Sequence, residues 1–507
     1  MKKLLALAMI FCLAFGIVGC GGGGGSSDGA LKDTLVWVQA ADVTSLDPHV
    51  GKETPAVTVT SQMFDTLLVM DENNEPAPSL AESFKQIDDK TWEFKLREDV
   101  KFHDGEPMTA EDVVYSINRA RKSNYVSYVV DAISEVKADG DYKVIIKTKE
   151  PYSPLLSSLT VPFTAIVPKH VVEADEDAFQ LNPVGTGPYK FVEWKQGEYA
   201  KMAANEDYFL GAPKTANLEM RVVPEASQRV IAIETGEADL AYAVSANDSK
   251  RVEEDDNLQL FKASSQSVSY LTVNGENKLF SDKRVRQAIR YAVDKEAIVE
   301  TMLYGAGEPA DSVIPPNAFG FSKKVVFYEH NLEKAKKLMK EAGYPDGFKC
   351  TLSVTDDSVK NEICQVIQSQ LKEIGIKCNI QVKEYGTWID ELGTGSHEMS
   401  LSAWVCVTGD ADYTYYSLFH SSQTGYPGND AFIKNDEVDK LVVAARQTAD
   451  PEKRQEYYDK LEVLLGDLSP YIPLYYDSVN VGATKNVKGF VADPNGYHRL
   501  RNVEVTE

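Results

Sequence analysis

The sequence has few cysteines and none in a CxxC arrangement, so it predicts neither a disulfide framework nor a cysteine zinc site. Of its 507 residues six are cysteine, 43% are hydrophobic and 26% are charged. That balance is typical of a soluble globular protein with ample core, and it excludes a disordered chain and a bundle of membrane-spanning helices. The length suggests about three domain-sized units or two large lobes.

The motifs of common enzymes are missing as well. There is no GxSxG nucleophile elbow, no GxxxxGK[ST] phosphate loop, no HExxH zinc motif and no GxGxxG after a strand. The seven histidines are scattered, so a metal cluster is not expected. His103 and Asp104 form a close pair in a turn; we interpret it as structural, and an exported peptidase that uses this pair is the alternative. We therefore predict a protein that is not an enzyme and that holds no cofactor or resident metal.

The chain also has fewer basic residues than acidic ones. Lysine and arginine total 53 against 77 aspartates and glutamates, which gives a formal net charge of -24. A chain this acidic is repelled by phosphate backbones, so no nucleic-acid partner is expected.

Residues 1–19 are predicted to be a secretory signal peptide, because two lysines precede an apolar run that is too short to span a bilayer. The run ends in Ile17-Val18-Gly19-Cys20, which resembles a bacterial lipobox, where a cysteine receives lipid before cleavage. Glycines and serines follow, so residues 20–30 are predicted to be a lipidated flexible tether. Lipid on Cys20 would hold the protein at the cell envelope, in a periplasm or at the outer face of the cytoplasmic membrane. The alternative is an ordinary signal peptide with an incidental cysteine.

After the tether, the hydrophobic pattern alternates between strands and helices. Thr91–Leu96 alternates polar and apolar residues as a half-buried strand does, and Thr109 is placed to cap the helix that follows. Ser281 is predicted to cap a second helix. Asn331 is predicted to start a third, which ends at Gly343.

Two stretches repeat the order strand, helix, strand, which predicts partly parallel sheets covered by helices. They comprise residues 218–223, 228–235 and 239–244, and residues 348–354, 360–374 and 376–382. Two α/β lobes are the natural interpretation. Cys350 and Cys378 lie in the two strands of the second stretch and are expected on neighbouring strands as buried free thiols, with a disulfide as the alternative.

Three long stretches resemble the signature of the family 5 extracellular solute-binding proteins, which feed ABC importers for peptides and nickel. These are residues 78–84 with 92–117, residues 182–189, and residues 280–298 with 333–348. The likeness extends over about residues 35–490. It implies a two-lobed periplasmic-binding-protein-like α/β fold with a hinge between the lobes.

The resemblance also implies how the chain is divided. The first lobe would take residues 31–268 plus 478–507, with an extra subdomain at residues 59–179, and the second lobe would take residues 269–477. The protein is then expected to be a monomer that passes a small ligand to permease subunits of an ABC importer in the cytoplasmic membrane.

One segment has the composition of a ligand cleft for a cationic or zwitterionic molecule. Asp410 or Asp412 would pair with an ammonium group, and the other candidate ligand-binding residues here are Trp404, Thr408, Tyr413 and Tyr415. The alternative is that the aspartates cap a helix that starts near Tyr413 and that the aromatic residues belong to the core.

Two ligand-binding residues that are common in these relatives are missing from this sequence. Peptide-binding relatives hold the peptide α-amine with an aspartate three residues after the matching tryptophan, where this chain has Val407. Dipeptide binders hold the carboxylate with an arginine after the strand that matches residues 348–354, but residues 355–360 contain none. Residues 408–413 (TGDADY), followed by LFHSSQ, look instead like the branch usually assigned to glutathione, which has one ammonium and two carboxylates.

Cationic partners for those carboxylates are then required. Arg121 and Lys122, after a first-lobe helix, are the candidates, with a solvated helix end as the alternative. Only His420 is suitably placed for a nickel chelate. The sequence thus predicts an extracytoplasmic lipoprotein that captures glutathione or another short peptide for an ABC importer. Di- or oligopeptide binding and nickel-chelate binding are alternatives within the family; an exported peptidase and a surface adhesin or sensor are alternatives outside it.

Overall fold

The computed structural model describes residues 30–71 and 73–507. The predicted signal peptide, the predicted lipidation site at Cys20 and nearly all of the predicted tether lie outside these residues. Within the described part of the chain, no helix combines the length and the apolar character needed to cross a membrane.

Two long strands run through the middle of the molecule, and the other strands are shorter. In chain order the strands are Thr34–Gln39 (β1), Leu68–Met70 (β2), Pro76–Pro78 (β3), Ala81–Asp88 (β4), Thr91–Leu96 (β5), Ile133–Ala138 (β6), Lys143–Thr148 (β7), Tyr189–Lys195 (β8), Tyr199–Ala204 (β9), Asn217–Val222 (β10), Leu240–Tyr242 (β11), Leu258–Val273 (β12), Gly307–Pro309 (β13), Phe348–Thr355 (β14), Ile376–Lys383 (β15), Met399–Val405 (β16), Tyr471–Thr484 (β17), Val487–Lys488 (β18) and Glu504–Val505 (β19).

Helices cover the faces of the sheets. The α-helices are Thr54–Thr60 (α1), Ala110–Ala120 (α2), Ser127–Val130 (α3), Leu155–Ser158 (α4), Lys169–Ala174 (α5), Glu176–Leu181 (α6), Ala226–Glu234 (α7), Ala246–Glu254 (α8), Lys283–Ala292 (α9), Lys295–Met302 (α10), Leu332–Glu341 (α11), Ser358–Lys372 (α12), Tyr385–Thr394 (α13), Ala411–Phe419 (α14), Asp436–Gln447 (α15) and Pro451–Leu468 (α16). Pro162–Thr164 and Ser421–Gln423 form short 3₁₀ helices.

One sheet of the described chain runs through both lobes, in the order β15-β14-β16-β12-β17-β11-β1-β10-β9-β8, with β13 beside β17. Its centre is the long antiparallel pair β12 and β17, whose register is interrupted between Ser264 and Val268. On the side of residues 258–264 of β12, β17 also pairs with β11 in the first lobe. On the other side of the interruption, β12 pairs with β16 in the second lobe. The two lobes therefore share two continuous strands.

Each part of the molecule has its own hydrophobic core. In the first lobe, one core packs around Trp37 of β1, and a separate four-stranded sheet, β4-β5-β7-β6, packs its Phe94 against α2. In the second lobe, β14, β15 and α12 enclose one core, and α14, α15 and α16 enclose another. The limits of the lobes and of the extra subdomain that are given above stay predictions.

Local sequence signals locate most helix starts. The predicted strand Thr91–Leu96 is confirmed, and Thr109 and Asn331 are the N-caps of α2 and α11, as predicted. The prediction for Ser281 was wrong by one residue: Asp282 caps α9, because its carboxylate accepts the Arg284 amide at 2.9 Å, whereas the Ser281 hydroxyl donates to the Lys278 carbonyl.

Both predicted strand-helix-strand stretches form. β14 and β15 pair in parallel on either side of α12, and β10 and β11 both pair in parallel with β1. Cys350 and Cys378 are directly opposed on β14 and β15, with their sulfur atoms 3.5 Å apart. Both thiols are free and buried, in agreement with the first of the two alternatives.

Candidate functional site

The lobes meet at the interruption in β12, and Gln266 lies at their junction. Its backbone amide donates to the Pro494 carbonyl at 3.0 Å, and its carbonyl accepts the Cys406 amide at 2.9 Å. Pro494 belongs to the loop that follows β18, and Cys406 to the loop that follows β16. The buried Gln266 therefore connects the loops at residues 493–498 and 405–410, and the space between the lobes beside these loops is called the cleft below.

Three buried polar atoms in or beside these loops have no hydrogen-bond partner among the described residues: Gln266 Oε1, Asn495 Oδ1 and His498 Nε2, whose ring packs against Trp37, Tyr242 and Phe490. His498 accepts the Asp493 amide at Nδ1, and burial lowers the pKa of its ring to about 3, so the neutral ring carries its proton on Nε2. Unpaired buried polar groups are rare in folded proteins because each one costs free energy. Gln266 Oε1 and Asn495 Oδ1, beside the junction of the lobes, are therefore available to a polar partner.

One edge of β16 is open where it reaches the cleft. β16 pairs with β12 along its whole length, up to Ser267 opposite Val405. Its pairing with β14 covers only Met399 and Ser400, so on that side no described strand lies beside residues 401–405. An open edge of this kind offers unpaired backbone amides and carbonyls to an extended peptide.

A cavity of about 270 Å³ lies between the end of β14 and the end of β16. Its walls are rich in aromatic side chains, and it is lined by Tyr270, Thr355, Lys360, Tyr385, Trp388, Ser402, Ala403, Trp404, Leu418, Tyr426, Pro427, Gly428 and Asp430. Trp388 lies at the end of the β14 pairing, where its Nε1 donates to Ser400 Oγ at 2.8 Å.

Two charged groups of opposite sign line this cavity. Lys360, on the first turn of α12, is half-buried and has no ion-pair partner among the described residues. Its charge acts on Asp477, opposing the rise in pKa that burial causes there.

Asp430 is only 3% exposed, and burial raises the pKa of its carboxyl to about 7. It accepts hydrogen bonds from Tyr471 Oη at 2.9 Å and from Thr272 Oγ1 at 3.4 Å.

Of the residues predicted to bind ligand, Trp404 lines the cavity and is held in place by its neighbours. Its ring stacks on Tyr413 at 5.2 Å between centroids, and its Nε1 donates to Thr414 Oγ1 at 3.1 Å. Tyr413 in turn meets Tyr128 of the first lobe, with ring centroids 6.0 Å apart. These aromatic side chains therefore connect the cavity with the opposite lobe.

The two aspartates do not offer free carboxylates to a ligand, which corrects the ammonium-binding interpretation. Asp410 caps α14 by accepting the Asp412 amide, as the capping alternative predicts, and it is paired with Arg454. Asp412 is paired with Arg446, whose Nε and Nη2 lie within 2.9 to 3.2 Å of its oxygens. Both carboxylates are buried, so their charges are already satisfied inside the protein.

Thr408 and Tyr415 also make internal contacts. Thr408 Oγ1 accepts the Asp410 amide at 3.2 Å, which shapes the turn before α14. Tyr415 is fully buried, stacks on Tyr458 and donates its hydroxyl to Glu462 at 2.7 Å. Tyr415 is therefore core, as the alternative interpretation predicts.

The predicted cationic residues lie away from the cavity. Arg121 donates to Asn118 Oδ1 and to the Ser134 carbonyl, near the end of α2, as a helix end in solvent does. Lys122 lines a separate groove of the first lobe. Lys360 lies within residues 355–360, where the family pattern has an arginine, and the arginine pattern alone does not predict it.

The histidines singled out in the sequence have structural roles. His103 Nδ1 accepts the Gly185 amide and its Nε2 faces the Gly187 carbonyl, and burial lowers its pKa to about 4. His420 caps a short 3₁₀ helix through the Ser422 amide. Within the described residues, no three His, Cys, Asp or Glu side chains are grouped closely enough to hold a metal ion.

Comparison with known proteins gives a consistent result. Residues 75–426 match the family described as bacterial extracellular solute-binding proteins, family 5, middle region. The oligopeptide-binding protein AppA of Bacillus subtilis (strain 168) is 30% identical, covering 99% of this chain and 98% of AppA. The glutathione-binding protein GsiB of Salmonella typhi is 31% identical, covering 92% and 93%. The structure of the ABC transporter-associated periplasmic binding protein DppA from Helicobacter pylori, in complex with the peptide STSA, matches with a TM-score of 0.80 at 28% identity, covering 94% and 98%.

Proposed function

The chain belongs to the family 5 bacterial extracellular solute-binding proteins, and from this premise we propose that it captures glutathione or another short peptide in the cleft between its lobes. Membership confirms the predicted family and two-lobed fold. The relatives named above are binding proteins rather than enzymes, which supports a binding role for this chain as well.

The observation that carries the proposal is the open edge of β16 beside a cavity with charges of both signs. A peptide needs partners for its backbone amides and carbonyls, and residues 401–405 offer such partners. It also carries an amine and at least one carboxylate, and the cavity offers Asp430 and Lys360. The aromatic walls suit the apolar part of a small ligand.

The shared strands supply a mechanism for capture. Because β12 and β17 pass from one lobe to the other at the register interruption, rotation there would move the lobes as rigid bodies. The lobes already touch around the cleft, where Asn74 of the first lobe donates to the Asn317 carbonyl of the second at 3.2 Å. Closure would bury a peptide between them and present the closed form to a permease.

We also propose the location and the partners that the sequence predicts. Lipid on Cys20 would anchor the monomeric protein at the cell envelope, close to the permease subunits of an ABC importer. The intact mass of protein purified with its own leader sequence tests this anchor, since acylation adds the mass of the lipid to a chain that begins at residue 20.

A ligand panel tests the proposed function. Full-length protein, processed by its host, is expected to be stabilised against heat by glutathione or another short peptide, with a gain that follows RT ln(1 + [L]/Kd). A nickel chelate is the alternative within the family. Stabilisation by nickel with histidine, or by a sugar, without any response to peptides would contradict the proposal.

Replacing Lys360 by glutamine is expected to weaken binding of peptides with a free carboxylate by about tenfold, the value of one charge-assisted hydrogen bond. The same peptides with an amidated C-terminus should bind both proteins equally, because the amide has no charge to pair with Lys360. Titration calorimetry measures both affinities. Lys372→Gln, at the exposed far end of the same helix, is the matched control and should bind as the unmodified protein does. Equal weakening by both variants would rule out this role for Lys360.

A further inference from the structure

Asp430 is a buried carboxyl without a counter-ion. The desolvation caused by burial is the largest influence on its pKa, and among the described residues no lysine, arginine or histidine forms an ion pair with it. Two other buried aspartates near the cleft differ in this respect, since Asp410 is paired with Arg454 and Asp412 with Arg446. A buried carboxylate is costly unless it is paired, so the missing cation needs an explanation.

The groups that face Asp430 are neutral or too distant to pair with it. Tyr471 of β17 and Thr272 of β12 donate hydrogen bonds to it, and the Asp430 carboxylate contributes to the raised pKa of the nearby Tyr270 and Tyr426. His397 faces the Asp430 backbone, and burial lowers the pKa of its imidazole. Lys360 of α12 and Tyr385 of α13 complete the titratable groups of the cavity, and Lys360 is beyond ion-pair distance of Asp430.

The cavity above Asp430 has the lining that a protonated amine requires. Aromatic rings surround it, supplied by Tyr270, Tyr385, Trp388, Trp404 and Tyr426. The faces of such rings attract cations, and the attraction is strongest where water is excluded. Its volume of about 270 Å³ is large enough for an alkylammonium chain together with an adjoining part of a short ligand.

We propose that Asp430 anchors a protonated amine of the ligand, so that the protein selects peptides that place an alkylammonium group in this aromatic cavity. The proposal rests on the proposed function and specifies its ligand class. The amine is either the peptide's N-terminus or a lysine-type side chain.

Titration calorimetry with a small set of peptides separates these two sources. The set contains trialanine, N-acetyl-trialanine, and trialanine with lysine or norleucine at each position in turn. If the amine is a side chain, lysine at one position should bind about tenfold or more tightly than norleucine. If it is the N-terminus, acetylation should weaken binding by a similar factor. In Asp430→Asn, which keeps the shape and an oxygen acceptor, that difference should vanish. Asp390→Asn, an exposed charge change on α13, should keep it.

The outcomes distinguish the inference from the function on which it rests. If peptides bind and Asp430→Asn retains both ratios, the inference is overturned and the proposed function stands. If no peptide binds the unmodified protein, the proposed function falls and the inference falls with it. The pH dependence of the unmodified protein is a second test that needs no variant. Lowering the pH from 8 to 5.5 protonates Asp430, so the preference for the amine should decrease, and an unchanged preference would overturn the inference.

Discussion

Replacing Arg454 by leucine is expected to lower the free energy of unfolding by about 3 to 5 kcal/mol, the cost of leaving a buried charge without its partner. Nη2 of Arg454 lies 2.7 and 2.9 Å from the two oxygens of Asp410, and both side chains are buried. The same nitrogen donates to Tyr458 Oη, and the guanidinium lies over the ring of Phe319. The pair joins α16 to the cap of α14, so its loss should loosen the loop that bounds the cleft.

Urea denaturation measures this loss, and two further variants locate its cause. Arg284→Leu removes an exposed arginine whose pair is Asp282, two residues away, and should cost less than about 1 kcal/mol. Adding Asp410→Asn to Arg454→Leu should recover part of the stability, because asparagine is neutral and still caps a helix. An Arg454→Leu variant as stable as Arg284→Leu would show that the pair does not hold α14 and α16 together.

Replacing Asp430 by asparagine is expected to stabilise the ligand-free protein by about 2 to 4 kcal/mol at pH 8 and to have little effect at pH 4. Burial raises the pKa of Asp430 to about 7, above the value of an unfolded aspartate, so the folded protein binds this proton more tightly than the unfolded chain does. The protonated carboxyl contributes fully to the free energy of unfolding below about pH 4, and this contribution is lost as the pH rises to 7. Asparagine is neutral at every pH in this range, so the variant does not lose this stability.

Urea denaturation of both proteins between pH 4 and pH 8 tests this expectation. The stability difference should grow across that interval and then level off above pH 7. Asp390→Asn changes an exposed carboxylate of the same lobe and should leave stability nearly unchanged at every pH. A difference between Asp430→Asn and the unmodified protein that does not depend on pH would contradict the buried, unpaired state of Asp430.

Local structure was largely predictable from the sequence. The strand-helix-strand stretch around α12 could be predicted because strand and helix periodicities are local and glycines mark its ends. The N-caps Thr109 and Asn331 could be predicted for the same reason, since a cap depends on a few neighbouring residues. Even the opposition of Cys350 and Cys378 followed from the parallel pairing of two strands.

The candidate site was less predictable because it depends on distant contacts. Asp410 resembles a free ligand group in the sequence, and its partner Arg454 stands 44 residues further along the chain. Asp430 follows a turn of Pro427, Gly428 and Asn429, where an exposed side chain would be expected, and only the packing of β12 and β17 against it causes its burial. Lys360 could have been predicted, because it stands on the first turn of the helix that follows β14, close to the end of that strand.

Native mass spectrometry tests whether a short peptide binds between the two lobes. Full-length processed protein is incubated with an equimolar pool of short peptides that includes glutathione, dialysed, and its intact mass is recorded under native conditions. We expect a complex that carries one peptide with a free amine and a free carboxylate, and Lys360→Gln should reduce its yield. A protein that retains no peptide from the pool would contradict peptide capture.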